Sequence, residues 1–334
     1  MQFTSKLLAM SALFALGTAL PAAAVDKVSF GTNWLAEAEH GGFYQAVADG
    51  TYAKYGLDVT IVQGGPQAAN EALLISGKID FYMGGQFSLY DDIKQGIPVI
   101  NVAAMFQKDP QILMTHKGVG MDTFADIAKA DTIFMGKDVF VTDFVWMKAN
   151  FKGFRDEQYK PYTFNPAPFI ADKMSAQQGY LTSEPLAVKQ ASGEEPNVFL
   201  FADNGYAPYS TTIETTTKNV AEKADMVQRF VDASIIGWYN YLYGDNKAAN
   251  DLIKKDNPEM TDEQIAYSIQ QMKDHGILIS GDAETKGIGC MTDERQKSFY
   301  DMLVGLKIID SSIDYTKAYT TQFVCKGVGM ELKK

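Results

Sequence analysis

Residues 27–63 read KVSFGTNWLAEAEHGGFYQAVADGTYAKYGLDVTIVQ and contain two strand patterns with a helical pattern between them. The first strand is KVSFGTN, and the helix, GGFYQAVADGTYAKYG, ends at Gly56. The second strand is LDVTIVQ, in which alternate positions place Leu57, Val59 and Ile61 on one face. A strand, a helix and a strand in this order predict a parallel pair joined by a crossover helix. This stretch therefore indicates an α/β fold.

The alternation continues downstream in two sets that separate near residue 115. The first set consists of the helix QAANEALLISGK, the strand IDFYMGG, the helix SLYDDIKQG and the strand IPVINVAAMF. The second consists of the helix TFADIAKA, the strand DTIFMG, the helix FVTDFVWMKANF, the strand YKPYTFN, the helix FIADKMSAQQ and the strand NVFLFAD. Beyond Thr211 the patterns become helical.

We expect this order to give two lobes. Residues 25–115 and 212–334 are predicted to form lobe 1, and residues 116–211 are predicted to form lobe 2. Each lobe is expected to hold a mixed, mostly parallel sheet flanked by helices. Two crossings of the chain between the lobes would make a hinge and leave a cleft.

The first 24 residues have the pattern of a signal peptide. Lys6 supplies positive charge, residues 7–20 are apolar, and Ala22 to Ala24 give a small-residue cleavage pattern. A transmembrane anchor is the alternative, but the apolar run is too short to span a bilayer comfortably. No cysteine follows the cleavage site for lipid attachment. The sequence therefore predicts an exported, soluble, periplasmic protein.

The charge of the chain excludes some partners. Its formal net charge is −11, whereas nucleic acids and anionic membranes need a basic face. The three arginines, Arg155, Arg229 and Arg295, lie in polar, helix-like contexts. Because proteins usually recognise sulfonate, phosphate or carboxylate with arginine, the composition favours a neutral or cationic ligand. Backbone amides leave an anion open as an alternative.

The two cysteines, Cys290 and Cys325, lie in the same C-terminal region. An oxidising compartment permits a disulfide between them, but sequence does not show whether they approach within bonding range. Neither cysteine fits a metal-ligand spacing, and no local signature supports Cys-His catalysis. We expect no metal or resident cofactor.

The loops that follow strands are the first place to look for a ligand site. Asn33 and Trp34 follow the first strand, and His40 precedes the next helix. An indole at a strand end can stack on a heteroaromatic ligand while neighbouring polar groups bind the ring edge. In the alternative interpretation Trp34 fills the core and His40 caps the helix.

The next two strands also end in candidate residues. Gly64, Gly65 and Pro66 follow the second strand, where they allow close backbone approach and free amides, although a plain tight turn would use the same residues. Three polar side chains in YMGGQFS, at the exit of the third strand, are expected to reach the same cleft: Tyr82, Gln86 and Ser88.

The second lobe offers the motif GYLTSEP, with Tyr180, Thr182 and Glu184. Tyr180 can supply a second stacking face. The carboxylate of Glu184 can accept hydrogen bonds from an amino-substituted ring or balance a ring protonated on nitrogen. In the alternative interpretation Glu184 is simply solvated.

The stretch NWLAEAEHGGFYQAVADGTYAKYGLDVTI, the following GG and Pro, GKIDFYMG and GYLTSEP together resemble the NMT1/THI5-like group of periplasmic substrate-binding proteins. The shared pattern is a Trp after the first strand, His-x-Gly-x-Tyr-x-Ala, then Gly-Leu-Asp-Val. The resemblance implies a type II-like, two-lobed periplasmic binding protein that serves an ABC transporter permease. It implies Trp34 and Tyr180 as stacking partners, Glu184 as the ring-edge acceptor and His40 as a nearby polar contact.

The family also sets the expected ligand and its alternatives. Members of this group bind thiamine-pyrimidine precursors, so the resemblance favours an aminopyrimidine. More distant members take riboflavin, sulfonates or nitrate, which stay open as alternatives. The family includes a pyrimidine synthase thought to consume a histidine and pyridoxal phosphate, with a cysteine-rich, iron-linked motif. The two cysteines of this chain are far apart and a secretion signal fits biosynthesis poorly, so we predict a binding protein rather than an enzyme.

Overall fold

The computed structural model describes residues 25–333. The predicted signal peptide, residues 1–24, lies outside the described residues. Within residues 25–333, no helix combines the length and the apolar character needed to cross a membrane.

Residues 25–333 form ten strands and fourteen α-helices, with short 3-10 turns between some of them. The strands are β1 (Asp26–Gly31), β2 (Leu57–Val62), β3 (Phe81–Gly84), β4 (Val99–Phe106), β5 (Gln111–Thr115), β6 (Thr132–Met135), β7 (Tyr159–Pro161), β8 (Ser175–Tyr180), β9 (Asn197–Leu200) and β10 (Ser210–Thr216). The helices are α1 (Gly41–Ala48), α2 (Thr51–Lys54), α3 (Asn70–Ile75), α4 (Ser88–Gln95), α5 (Lys137–Val141), α6 (Asp143–Asn150), α7 (Ala167–Ala171), α8 (Glu184–Ser192), α9 (Thr217–Glu222), α10 (Ala224–Tyr243), α11 (Lys247–Asp256), α12 (Asp262–Asp274), α13 (Ala283–Lys286) and α14 (Asp293–Gly305).

The strands make two five-stranded sheets, one in each lobe. The first sheet has the order β2-β1-β3-β10-β4, and the second has the order β7-β6-β8-β5-β9. In the first sheet β10 runs antiparallel to both of its neighbours, and in the second β5 does the same. The other pairings are parallel. Each sheet is therefore mixed and mostly parallel, and the predicted fold class is confirmed.

The first lobe is built around the approach of α1 to α10. A Cβ atom on Gly41 would lie 2.0 Å from the Tyr241 ring, and one on Gly42 would lie 2.2 Å from the Trp238 ring. No side chain fits at these positions, so the glycine pair lets the two helices pack closely. Nearer the N-terminus of α10, the ring of Phe230 stacks on Phe81, with centroids 4.1 Å apart. Such aromatic pairs contribute about 0.5–1.5 kcal/mol beyond their area burial.

Several regions differ from the sequence prediction, among them β5 (Gln111–Thr115), for which no strand is predicted. The predicted helix FIADKMSAQQ ends early, because α7 stops at Ala171 and the strand β8 begins at Ser175. The strand β10, where helical patterns are expected to begin, lies inside the first sheet. Ser175, Gln177, Thr212 and Glu214 on these strands are fully buried. Polar residues thus occupy interior strands, where an apolar run would have been the usual signal.

The chain changes sheets slightly before the predicted lobe boundaries. Strand β5 falls within the predicted residues 25–115 of lobe 1 but pairs with β8 and β9 of the second sheet. The return to the first sheet begins with β10 at Ser210, against a predicted boundary at 212. The connections between the sheets are residues 107–110 and 201–209.

The structure answers the open question about the cysteines. Cys290 and Cys325 form a disulfide with their Cα atoms 4.5 Å apart. The bridge joins the segment before α14 to the C-terminal tail, 35 residues further along the chain.

Candidate functional site

A cavity of about 570 Å³ lies between the two sheets. Side chains of the first lobe form one wall: Asn33, Trp34, Glu37, Glu39, Met83, Ser210 and Thr211. Residues of the second lobe form the opposite wall: Gln111, Gly136, Lys137, Asp138, Tyr162, Phe164, Gln178, Gly179, Tyr180, Ser183 and Glu184. Most of these residues lie at or just beyond the carboxyl ends of parallel strands, the edge at which open α/β sheets bind ligands.

Four of the residues predicted from the sequence meet at this cavity: Asn33, Trp34, Tyr180 and Glu184. Asn33 is exposed and Trp34 is half-buried. Asn33 and Trp34 come from the first lobe, and Tyr180 and Glu184 come from the second. The fold therefore brings together two motifs that are distant in the sequence, as expected. Their contact with a ligand stays a prediction.

The glycine loop after β2 supports Trp34 and does not line the cavity. The Gly64 N–H donates to the Trp34 carbonyl at 3.1 Å and to the Thr32 hydroxyl at 2.9 Å. The Thr32 hydroxyl in turn donates to the Trp34 carbonyl at 2.8 Å. A Cβ atom on Gly64 would lie 2.3 Å from the Thr32 carbonyl oxygen. Gly64 thus holds the loop that carries the indole, and Gly65 and Pro66 also lie outside the cavity lining.

His40 and Thr182 lie behind the cavity wall. His40 is fully buried, and neither of its ring nitrogens has a hydrogen-bond partner. Burial lowers the pKa of His40 to about 3, so the imidazole is neutral. Thr182 is also fully buried, and its carbonyl accepts hydrogen bonds from the side chains of Gln264 at 2.6 Å and Ser268 at 2.8 Å.

Gln86 and Ser88, which follow β3, have hydrogen-bond partners away from the cavity, and Tyr82 lies within β3. Gln86 accepts a hydrogen bond from the Tyr209 backbone N–H at 2.8 Å and donates to the Gln296 side chain at 2.7 Å. Ser88 donates to a backbone carbonyl three residues earlier at 3.0 Å. Burial raises the pKa of Tyr82, which lies beside the carboxylate of Glu214. These three predicted residues therefore do not line the cavity.

The structure adds two aromatic residues, Tyr162 and Phe164, to the cavity wall. The ring of Phe164 lies 5.9 Å from that of Trp34 on the opposite lobe, and Tyr162 lies 5.4 Å from Phe164. Phe164 is 74% exposed, although its side chain is a large apolar one. Its φ of 58° is in the left-handed region that bulky residues rarely adopt. The signal in the sequence is YTFNP, two aromatics before Asn-Pro, which overlaps the end of the predicted strand YKPYTFN.

The carboxylate of Glu184 accepts hydrogen bonds mainly from other groups of the protein. One carboxylate oxygen accepts from the Tyr180 N–H at 2.7 Å and the Ser183 hydroxyl at 2.6 Å. The other accepts from the Tyr162 hydroxyl at 3.3 Å. A carboxylate accepts about four hydrogen bonds, so little capacity is left for a ligand. Glu184 chiefly fixes the loop that positions Tyr180 and Tyr162.

The cavity wall is rich in carboxyl groups. Its lining includes the carboxylates of Glu37, Glu39, Asp138 and Glu184, and among the described residues Lys137 is the one basic residue that lines it. Burial raises the pKa of Glu37 well above the usual value, and repulsion from Glu39 and Glu184 adds to the shift. Burial also raises the pKa of Glu39.

This arrangement defines the class of protein. Two α/β lobes, two connecting segments and a cleft at the strand ends constitute the periplasmic-binding-protein fold. The chain belongs to the NMT1/THI5-like family, whose model matches residues 37–248. The resemblance noted in the sequence is therefore confirmed.

A solved structure shares the fold over most of the chain. The aliphatic sulphonate binding protein SsuA from Escherichia coli superposes with a TM-score of 0.62 at 13% identity, covering 87% of this chain and 91% of that one. Similarity at this level of identity establishes the fold alone.

Two curated relatives match shorter segments. The putative thiamine biosynthesis protein of Haemophilus influenzae is 24% identical over 108 residues, 32% of this chain and 34% of that protein. The 4-amino-5-hydroxymethyl-2-methylpyrimidine phosphate synthase of Schizosaccharomyces pombe is 29% identical over 102 residues, 30% of each protein. The chain thus spans about a third of the length of the curated relatives it matches.

Proposed function

We propose that this protein is the periplasmic solute-binding component of an ABC importer and that it binds a small nitrogen heterocycle, favouring an aminopyrimidine related to thiamine. The observation that carries the proposal is the interlobe cavity, in which the aromatic side chains of Trp34, Phe164 and Tyr180 occur together with carboxylates. Its volume of about 570 Å³ lies within the range of small-molecule sites. Both curated relatives carry names that concern thiamine or its pyrimidine.

Aromatic contact supplies most of the proposed affinity. Micromolar binding needs about 8 kcal/mol, and a few neutral hydrogen bonds at about 1 kcal/mol each do not reach it. A flat ring buried against Trp34 gains both area burial and stacking. The polar edge of the ring would then select among heterocycles.

Hinge closure follows from the way the site is divided. Trp34 comes from the first lobe, whereas Tyr162, Phe164 and Tyr180 come from the second. A ligand that contacts both walls binds the closed form better than the open form, so it shifts the population towards closure. The closed form is the one we expect the permease to recognise.

A sulfonate or nitrate ligand is the second candidate, because SsuA shares the fold. Three features of the cavity support the heterocycle over an anion. Its wall is rich in carboxylates. Among residues 25–333, Lys137 is the one basic residue that lines it. The arginines bind elsewhere: Arg155 to the Gly153 carbonyl, Arg229 to the Asp26 carboxylate and Arg295 to the Ala207 carbonyl.

A screen of thermal unfolding tests the proposal. A ligand that binds only the native state raises the melting temperature, so aminopyrimidines should raise it and sulfonates and nitrate should not. Flavins belong in the same screen, because riboflavin is an uncharged alternative that also stacks between aromatics. A rise with nitrate or a sulfonate alone would contradict the proposal.

The enzymatic alternative rests on the name of the S. pombe relative. It is tested by incubating the protein with a stoichiometric amount of the ligand found in the screen and analysing the recovered ligand by mass spectrometry. A binding protein returns the ligand unchanged. A product of altered mass would favour an enzyme.

A further inference from the structure

Two carboxylates of the cavity wall lack a basic partner. Glu37 and Glu39 both line the cavity from the segment between β1 and α1, and Glu39 is 4% exposed. Among residues 25–333 no lysine or arginine lies within ion-pair distance of either carboxylate. This distinguishes them from Glu184, whose oxygens accept three hydrogen bonds from the protein.

A buried histidine lies beside the same carboxylates. The Nε2 atom of His40 is 3.7 Å from Oε1 of Glu37, beyond hydrogen-bond distance, and both ring nitrogens are without partners. His40 is neutral in this environment, so it offers Glu37 no positive charge. An unpaired buried polar group is costly, and such groups are rare unless function requires them. Glu37 therefore has a neutral imidazole without hydrogen-bond partners on one side and the cavity on the other.

We propose that Glu37 and Glu39 form a subsite for a positively charged nitrogen, such as an ammonium or amidinium group, on the ligand that binds in the cleft. The inference rests on the proposed function, because it assigns the charge of the ligand that lies against Trp34. The two carboxylates accept the N–H groups of the cation, and the aromatic part of the ligand extends towards Trp34 and Phe164.

An organic cation fits this wall better than a metal ion. Among the described residues no group of three His, Cys, Asp or Glu side chains is arranged to hold a metal. An N–H cation needs fewer acceptors, since its donors bind individual oxygens at ordinary hydrogen-bond distances. Charge-assisted hydrogen bonds of this kind are about twice as strong as neutral ones.

Binding at this subsite is expected to release protons. Burial and mutual repulsion raise the pKa of Glu37, and burial raises that of Glu39, so the empty site retains protons that a cation displaces. Affinity should therefore increase as the pH rises above the ordinary glutamate pKa of 4.5. The titratable groups that share this environment are Asp138, Glu184, Lys137, Tyr162 and Tyr180 at the wall, with His40 and Tyr241 behind it.

Isothermal titration calorimetry on the wild-type protein tests the inference without any mutation. One matched pair is a 4-aminopyrimidine that carries an aminomethyl group and its hydroxymethyl counterpart. A second pair is benzamidine and benzamide. In each pair the cation should bind at least about tenfold more tightly than the neutral compound. Titration in two buffers of different ionisation enthalpy should show net proton release with the cation.

Two variants and a control locate the effect. Glu37→Gln and Glu39→Gln should each reduce the preference for the cation about fivefold or more, with little change in affinity for the neutral compound. Glu157→Gln, at an exposed glutamate in the second lobe, should leave the preference unchanged. Melting temperatures of the three variants show whether each is folded.

The outcomes separate this inference from the proposed function. If the neutral aminopyrimidine binds and the cation of each pair binds no more tightly than its neutral counterpart, the subsite is wrong and the heterocycle proposal stands. If neither aminopyrimidine binds but benzamidine binds better than benzamide, the subsite stands and the heterocycle proposal fails. If neither pair favours its cation, the inference is overturned.

Discussion

Trp34 reaches the cleft because its backbone is held, while its ring is only half-buried. Its carbonyl accepts hydrogen bonds from the Thr32 hydroxyl and the Gly64 N–H, at 2.8 Å and 3.1 Å. The loop between β1 and α1 is thereby fixed, and the ring can face a ligand at little entropic cost. Phe164 approaches the same ring from the other lobe.

Removing the indole should weaken binding directly. We expect Trp34→Ala to lose at least about tenfold in affinity for a heteroaromatic ligand, because stacking contributes about 1 kcal/mol beyond the area that the ring buries. Titration calorimetry measures the change, and Trp34→Phe should retain part of the affinity. Equal affinities of the wild-type and Trp34→Ala proteins would remove Trp34 from the site.

A glycine that does not line the cavity should also matter for binding. In Gly64→Ala the new Cβ atom meets the Thr32 carbonyl oxygen at 2.3 Å, so the loop must shift and carry Trp34 with it. We expect about 1–3 kcal/mol of destabilisation together with reduced affinity. The control is Gly85→Ala, where a Cβ atom meets nothing within 4 Å. If both variants bind like the wild type, the loop does not depend on Gly64.

At the scale of elements, β10 carries a buried carboxylate into the first sheet. Glu214 is fully buried and both of its carboxylate oxygens lack hydrogen-bond partners. Burial raises its pKa well above the usual value, and repulsion from Glu71 and Asp92 adds to the shift. The folded protein therefore keeps the proton at pH values where the unfolded chain has released it. Stability should fall as the pH rises above 4.5, the ordinary glutamate pKa.

Replacing this carboxylate should stabilise the protein at higher pH. We expect Glu214→Gln to raise the free energy of unfolding by about 1–3 kcal/mol near pH 8, with a smaller gain near pH 5. Urea unfolding at both pH values measures the difference. A gain that is equal at both, or larger near pH 5, would show that Glu214 is ionised in the folded state.

The disulfide is a second element-scale constraint. It closes a loop of 35 residues between Cys290 and Cys325, which reduces the number of conformations open to the unfolded chain. Loop-closure entropy predicts a stabilisation of about 3–4 kcal/mol. The double variant Cys290→Ser/Cys325→Ser should unfold at a correspondingly lower urea concentration and keep its ligand affinity, since neither cysteine lines the cavity. An unchanged unfolding midpoint would mean that the bridge does not stabilise the fold.

The secondary-structure elements also show how much of the fold the sequence predicts. The strands β1 to β4 were predictable because apolar residues such as Val28 and Phe30 alternate along β1, and β4 is a nearly continuous apolar run. The strands β8 and β10 were not, because buried polar residues such as Gln177 and Glu214 interrupt the apolar signal. Periodicity indicates which face is buried only where the buried face is apolar.

The residues of the candidate site also fall into those that the sequence predicts and those that it does not. Trp34, Tyr180 and Glu184 were predictable because strand ends are a general location for ligands. Phe164 was missed because its place depends on a left-handed turn and on the approach of the other lobe. Glu37 and Glu39 were missed because a carboxylate in a loop is usually solvated, and only the folded structure shows them at the cavity wall.

At the scale of the whole molecule, the two lobes share one site and are joined by two segments, residues 107–110 and 201–209. Neither lobe holds all of the aromatic and acidic side chains that face the cavity. Affinity, closure and recognition by a permease are therefore expected to depend on the same event, the contact of one ligand with both walls.

The most direct test of this account is calorimetric titration of the purified protein with an aminopyrimidine and, in parallel, with a sulfonate, each at low and high salt. The account predicts one aminopyrimidine per chain, bound with about micromolar or tighter affinity, and no binding of the sulfonate. Tight sulfonate binding that weakens with salt, together with no heat from the aminopyrimidine, would contradict it.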